Sequence, residues 1–527
     1  MATHSGPDAE TVVVGAGIAG IGAGIALCRA GFDDFVILER ADEVGGTWRD
    51  HTYPGLTVDA PSLVYSFSYA QRPDWSGVWA SQAEVLDYLR SLTTRYGLRP
   101  HLRFGAEVVS AEFDGQRDVW VVRCADGAEI TARYLINGSG YLNLPRMPDV
   151  EGIGSFAGPI LHTSDWRDDI ELRGRRVAMI GTGATAIQLA PHLAEFSAHL
   201  TIFQRTPIWL LPKPPMRFPA AVRRIFATVP GAQRLVRLLI SAFMDLVFFR
   251  VFTDYPRVAR LARLVERLGR WHIGKQVRDR VTREALTPRY SWGCKRPSFS
   301  NDFYPIFNRD HVELVAQPVV RVTADAVITA DGVSHPVDVI ICATGYQPFE
   351  KAALPTYPVR GPAGTELREF WDRHRYQAFR GFAVPGFPNY FLVFGPYSIA
   401  SASYYSMVEV AARNIVRCLR AARARGASRV EVTEEANQED LARVLRGKAT
   451  SIWRTADCGG SRTYYYDRFG DTPGFRPSYH HREWWASRTL SMRHFRFSGR
   501  VQGSVEGSAT SQRRRKSVVS GRRGRAI

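Results

Sequence analysis

Only six of the 527 residues are cysteine (Cys28, Cys124, Cys294, Cys342, Cys418 and Cys458), and no two of them form a CxxC pair. That scatter argues against a zinc ribbon and a redox-active disulfide, and it points to a reducing compartment. No metal site is expected. The chain also lacks a long uninterrupted apolar run. Its nearest approach, LLISAFMDLVFF at Leu238–Phe249, is broken by Asp245 and flanked by Arg234, Arg237 and Arg250. A bilayer span needs about 20 apolar residues, so the expectation is a buried helix or one lining a substrate entrance, rather than an interfacial anchor. The opening residues MATHSGPDAE hold no basic segment followed by an apolar one, so no secretory leader is expected and the localisation reads as cytoplasmic. There is no short-period repeat and no nucleic-acid motif.

Acidic residues are in short supply: 51 Asp and Glu stand against 69 Lys and Arg, a net charge of +18. From Arg500 onward eight basic residues face one acid, which accounts for +7, and the remaining +11 is spread over the body. The Ser/Gly-rich stretch 499–527 reads as a disordered basic tail. It is compatible with weak contact to an anionic surface, and so with peripheral attachment to a membrane, but no specific nucleic-acid partner is expected.

What is present is a globular composition, 45% apolar and 12% aromatic, long enough for two or three domains. Two glycine-rich turns stand out. The first, GAGIAG at Gly15–Gly20, follows the apolar run TVVV and precedes a helix-compatible stretch from Ile18 to Ala30. Gly15 permits the turn, Gly17 lets the backbone approach a pyrophosphate, and Gly20 allows helix and strand to pack closely. A second strand, FVIL at Phe35–Leu38, ends in Glu39, nineteen positions past Gly20, where a carboxylate suits ribose hydroxyls. The other turn, GTGATA, follows RRVAMI and has Gly181, Gly183 and Ala186 at the three small positions. Its second strand, HLTIF, leads into Gln204, Arg205 and Thr206, and Arg205 near the ribose favours a 2′-phosphate, hence NADPH over NADH.

The order of elements predicts an α/β protein with two Rossmann-like dinucleotide-binding domains, the second inserted into a split first. Residues 1–10 read as a disordered N-terminus and 11–144 as the first part of the first domain. Residues 145–340 read as the second domain with a helical insertion over about 211–290. Residues 341–498 read as the return to the first domain plus a C-terminal segment, with DVIICATGY at Asp338–Tyr346 as the strand of re-entry.

The connector between the two turns reads FAGPILHTSDW, with Phe156, Gly158, His162 and Trp166 in the pattern FxGxxxHxxxW. This resembles the fingerprint of Baeyer–Villiger monooxygenases. A second segment, GGTWRDHTYPGLTVD, matches that family's pattern at Gly46, Trp48, Tyr53, Pro54, Gly55 and Asp59, and CKRPSFSNDFYPIFNRDHV from Cys294 looks like its lysine–arginine segment. The ATG of Ala343–Gly345 also fits. The chain departs from the pattern at Arg167, where the family usually has Pro or Asp.

The resemblance implies FAD on the first turn and NADPH/NADP⁺ on the second. It also implies a peroxyflavin that inserts one oxygen atom of dioxygen beside a ketone carbonyl to give an ester or lactone. By resemblance Arg296 is the catalytic cation and Asp59 its orienting partner. Lys295 and Arg205 hold the 2′-phosphate; Arg40, Thr47, Trp48, Tyr53 and Thr206 contact cofactor. Phe156, Gly158, His162 and Trp166 link the domains and help position NADP. A bulky apolar ketone is the expected substrate, in a pocket bordered by the Leu211–Tyr290 insertion and the Tyr397–Tyr405 loop, and a monomer or dimer is compatible. Two other readings remain open: a flavin monooxygenase acting on nitrogen or sulfur, and a nucleotide-binding flavoprotein that does not oxygenate.

Overall fold

In this computed structural model, residues 7–214, 216–348, 354–401 and 403–501 are described. The basic tail beyond Val501 lies outside them. The strand Ala9–Val14 is buried from Thr11 onward, as expected of a run covered on both faces of a parallel sheet. It pairs in parallel with Phe35–Leu38 on one side and Glu129–Asn137 on the other. Beyond these the first sheet runs out through Val119–Cys124, Val108–Asp114 and Val359–Arg360 at one edge and Leu102–Arg103 at the other, while Tyr390–Leu392 also pairs with Glu129–Asn137. The helix Ile18–Ala30 shares one apolar core with the long helix Tyr404–Arg425, so a C-terminal element covers the first turn unit.

The second sheet is wholly parallel, in the order Val312–Val315, His199–Phe203, Arg176–Ile180, Val339–Cys342, Ile160–His162. A small antiparallel sheet of Val319–Val322, Ala326–Thr329 and Ser334–Pro336 hangs from it. Five helices occupy the insertion: Ala220–Thr228, Ala232–Met244, Arg250–Thr253, Tyr255–Gln276 and Arg280–Leu286. A π-helical turn at Asp245–Phe249 joins the second and third.

Three expectations need correction. The N-terminal strand starts at Ala9, and Asp8 accepts from the Thr131 backbone N–H at 2.8 Å, so residues 8–10 are held by side chain and sheet. The strand Val339–Cys342 belongs to the second sheet and not to the first, because its four buried residues fit between Arg176–Ile180 and Ile160–His162. Return to the first sheet comes later, at Val359–Arg360 and Tyr390–Leu392. Finally, Cys294 and Cys458 form a disulfide with Cα atoms 5.3 Å apart. They are 164 positions apart, so the pairing is set by the packing of Ile452 and Trp453 against Trp292, which a search for adjacent cysteines does not detect.

Candidate active site

One cavity of about 1350 Å³ runs between the two glycine-rich turns. It exceeds the roughly 300–1,000 Å³ of a site for one small ligand. Its walls include Gly15, Gly17, Glu39, Arg40, Gly46, Thr47, Trp48, Tyr53 and Asp59 from the first unit, and Gly181, Gly183, Arg205, Thr206, Lys295 and Arg296 from the second. Gly20 and Ala186 lie behind the turns. A Cβ on Gly20 would sit 1.7 Å from the Gly15 carbonyl oxygen, and Gly15 itself has φ +94°, so this turn closes only with glycine at both places. Glu39, 5% exposed, ties the loop: its carboxylate accepts from the Ala16 N–H at 2.7 Å, the Ala41 N–H at 3.1 Å and Arg49 at 3.1 Å. A carboxylate offers about four acceptor positions; these contacts use three of them, and Glu39 lines the cavity.

Beside this turn, Trp48 is buried and its indole N–H donates to the Tyr65 hydroxyl at 3.2 Å, while Gly46 ends the loop at φ +53°. Tyr53 donates towards Thr185 and Gln188 of the second unit, both at 3.4 Å, and burial pushes its phenol up to about 12. Arg40 is an exposed rim residue 3.9 Å from Asp50.

The second turn faces a cluster of cations. Burial, then the charges of Arg462 and Arg146, hold the Arg205 guanidinium below its usual value. Burial and then Arg205 pull Lys295 down to about 8, and its ammonium donates to the Thr206 carbonyl at 3.4 Å. Unneutralised positive charge gathered at one wall is what a phosphate requires. A Cβ on Gly183 would meet nothing within 4 Å, so the space in front of the helix Ala184–Phe196 is free for a pyrophosphate.

His162, Phe156, Gly158 and Trp166 are not on the cavity wall. His162 ends the edge strand Ile160–His162; its Nε2 donates to the Gly345 carbonyl at 3.2 Å and its Nδ1 accepts from Ser164 at 2.6 Å. Burial lowers its pKa, so the ring is neutral and holds Gly345 and Tyr346, which do line the cavity. Gly158 leaves no room for a side chain: a Cβ would lie 2.3 Å from the Asp338 carbonyl oxygen. Phe156 packs in the core below, and the half-buried Trp166 donates its indole N–H to Asp168 at 2.9 Å. Arg167, the departure from the pattern, points to solvent.

At the junction of the two units the Arg296 guanidinium meets Asp59 at 2.5 Å. The Arg296 side chain is 44% accessible, but that access is to the cavity. Asp59 foremost, and then Tyr464, Tyr465 and Tyr141, raise its pKa well above the usual value against the opposing effect of burial. The far end of the cavity is apolar, formed by Ile240, Phe248, Phe249 and Phe252 of the insertion with Tyr465 and Phe475.

Comparison with known proteins agrees with this arrangement. Residues 12–218 match the family described as pyridine nucleotide-disulphide oxidoreductase. Over 463 residues the chain is 34% identical to a Baeyer–Villiger monooxygenase of Streptomyces coelicolor, covering 88% of this chain and 87% of that one. A Baeyer–Villiger monooxygenase of Pseudomonas aeruginosa is 33% identical over 472 residues, 88% of this chain and 87% of that one. The chain belongs to the Baeyer–Villiger monooxygenase family. Among solved structures, the closed form of a cyclohexanone monooxygenase superposes with a TM-score of 0.82 at 26% identity, over 94% of this chain and 99% of that one. An oxidised steroid monooxygenase bound to NADP gives 0.80 at 27% identity, over 93% and 99%.

This member of the family has unpartnered polar atoms at its cavity, a hydroxyl and an amide oxygen. Ser139 Oγ and Asn143 Oδ1, both bordering the cavity, are buried without a protein hydrogen-bond partner, and such groups call for a ligand or water. Sequence reasoning missed both, along with Arg146, Arg462, His51 and Tyr346. Arg462 lies beyond the disulfide in a segment with no motif. His51, stacked on Tyr346, is pulled down to about 4, mainly by burial. Its place inside the matched GGTWRDHTYPGLTVD segment was the one available signal.

Proposed function

We propose that this monooxygenase converts an apolar ketone to an ester or lactone, with Arg296 as the fixed cation beside the reacting carbonyl and Asp59 as the residue that aims it. The observation that carries the reading is the Arg296–Asp59 pair, set in the cavity wall between a carboxylate-closed glycine turn and a cationic one. FAD and NADPH, when bound, supply the reducing equivalents and the activation of dioxygen. The chain's own residues do the rest. The turn at Gly15–Gly20 with Glu39 is assigned to the FAD pyrophosphate and ribose; Arg205, Lys295 and Thr206 are assigned to the NADPH 2′-phosphate end.

Arg296 stays charged at any working pH and cannot hand a proton to a basic oxygen nearby. A guanidinium fixed in a cavity poor in water stabilises negative charge that develops on a substrate oxygen. Asp59 holds it in one orientation without moving a proton. Neutral His162 positions Gly345 and Tyr346 and takes no part in acid–base work. The apolar rings of Phe248, Phe249 and Phe252 exclude water and select an apolar substrate. The test is Arg296→Ala: the variant should keep its flavin absorbance and NADPH consumption while ester formation from a ketone drops by about 10²–10³-fold. Undiminished ester formation would remove Arg296 from the chemistry.

A further inference from the structure

The helix Ala232–Met244 turns its leucines outward. Leu235, Leu238, Leu239 and Phe243, together with Leu246 of the following π-helical turn, are between 57% and 65% exposed. Their spacing of i, i+3, i+4, i+8 and i+11 puts them on one helical stripe. The opposite side faces the protein, and there the buried polar groups sit beside Val236 and Ile240, which pack on the core. Gln233 donates to the Arg72 carbonyl at 2.6 Å, Arg237 donates to the Leu63 and Ser66 carbonyls at 2.8 Å each, and Asp245 is 8% exposed. A helix that turns its leucines outward and satisfies its polar groups inside is built to meet another apolar phase. Ile225 on the neighbouring helix Ala220–Thr228 and Val229 just after it are exposed too, as are Leu264, Leu268 and Trp271 on Tyr255–Gln276. Folded monomers rarely leave a contiguous apolar surface of this kind.

Charge identifies the phase. Between Arg217 and Tyr290 there are sixteen basic residues and five acidic ones, a net of +11, whereas the rest of the chain before Arg500 is neutral overall. The body's positive charge is therefore gathered in this insertion. Arg260, Arg263, Arg267 and Arg270 are exposed on the same helix as Leu264, Leu268 and Trp271. Leucine and aromatic side chains bordered by arginines are the composition of a helix lying in a membrane interface, and an anionic leaflet attracts such a cluster. A second copy of this chain on the same patch would instead bring two segments of +11 together. Among the described residues no helix is long and apolar enough to cross a membrane, so the contact is peripheral.

We propose that the outward face of the helix Ala232–Met244 docks on an anionic lipid bilayer. The patch adjoins the large cavity, because Phe243 and Leu268 are both accessible and part of the cavity wall. Docking therefore sets the apolar end of the cavity beside the lipid.

The experiment is flotation of the full-length, FAD-loaded protein with vesicles of phosphatidylcholine, with and without phosphatidylglycerol, compared with the double variant Leu238→Glu/Leu239→Glu. Neither leucine lines the cavity, and both are exposed, so the variant should keep its flavin absorbance and thermal midpoint. The wild type should float only with the phosphatidylglycerol vesicles, and the variant's floating fraction should be lower by about tenfold or more. Because the basic tail is intact in both proteins, equal flotation would assign binding to the tail and overturn the proposal. Failure of the wild type to float, or a concentration-dependent dimer that the variant abolishes, would overturn it too. Flotation is read without substrate or turnover, so it stands or falls apart from the ketone reading.

Discussion

Lys295 and Arg296 are neighbours in the chain, yet their surroundings move them in opposite directions. Arg296 is raised by Asp59; Lys295 is pulled down to about 8 by burial and by Arg205. In the free enzyme Lys295 is charged below about pH 8 and neutral above it. kcat/KM for NADPH should then fall as pH rises through about 8, while kcat/KM for NADH stays flat, and Lys295→Arg should abolish the difference. The same shift has a stability side: between about pH 8 and the ordinary lysine value of 10.5, the unfolded chain holds the proton and the folded one does not. The thermal midpoint of the apoprotein should gain from this group as pH rises across that window. Arg205→Ala should weaken NADPH relative to NADH by about 10- to 100-fold in kcat/KM, the worth of a hydrogen bond to a charged group; an unchanged ratio would show that Arg146 and Arg462 suffice. At this scale the chain was readable where a short motif places a residue: Asp59, Arg205, Lys295 and Arg296 all line the one large cavity. Ser139, Arg146 and Arg462 were not readable, because each reaches the cavity through a turn whose direction depends on tertiary packing.

Among the elements, the linker shows how far a fingerprint can be translated into physics. Its histidine ends an edge strand, its Phe156 fills the core below, and its Gly158 passes under the Asp338 carbonyl. Gly158→Ala should therefore destabilise the fold by roughly 1–3 kcal/mol, as overpacking does, with a lower thermal midpoint. Steady-state constants should shift less than they do in the cavity variants. Strand boundaries were legible where apolar runs are short and bounded, as in Phe35–Leu38 and His199–Phe203. Which sheet a buried run joins was not: VIIC at Val339–Cys342 has the composition of any central parallel strand, and its placement depends on partners more than 150 positions earlier. The apolar run Leu238–Phe249 reads as a buried helix or one lining a substrate entrance: Ile240, Phe243, Phe248 and Phe249 do line the cavity, whereas Leu238 and Leu239 are exposed, because the arginine and glutamine on the helix's other face have partners inside the protein.

Across the whole molecule, the C-terminal segment that matched no motif holds the site together from behind. Arg476, 6% exposed at its side chain, pairs with Asp440 at 2.5 Å and with Glu483 at 3.2 Å, and the Cys294–Cys458 disulfide ties the segment to the residue before Lys295. Opening that cross-link, by reduction or by Cys458→Ser, should lower stability by about 2–4 kcal/mol. NADPH affinity should weaken with it, since Arg462 sits just beyond Cys458; a variant as stable as the wild type would count against this tie. The arrangement of two sheets, each with a parallel glycine-turn unit, around one cavity was foreseeable from two glycine turns, whereas the tie that closes it depends on contacts 164 positions apart. The central claim, that this cavity directs oxygen into a ketone, is tested most directly by isotope. The FAD-loaded protein is supplied with NADPH and ¹⁸O₂, and apolar cyclic and open-chain ketones of increasing size are examined by mass spectrometry. An ester or lactone containing a single ¹⁸O atom, formed at one molecule per NADPH consumed, is the predicted result. NADPH consumption that yields only hydrogen peroxide across the whole series, or oxygen transfer confined to added amines and sulfides, would contradict it.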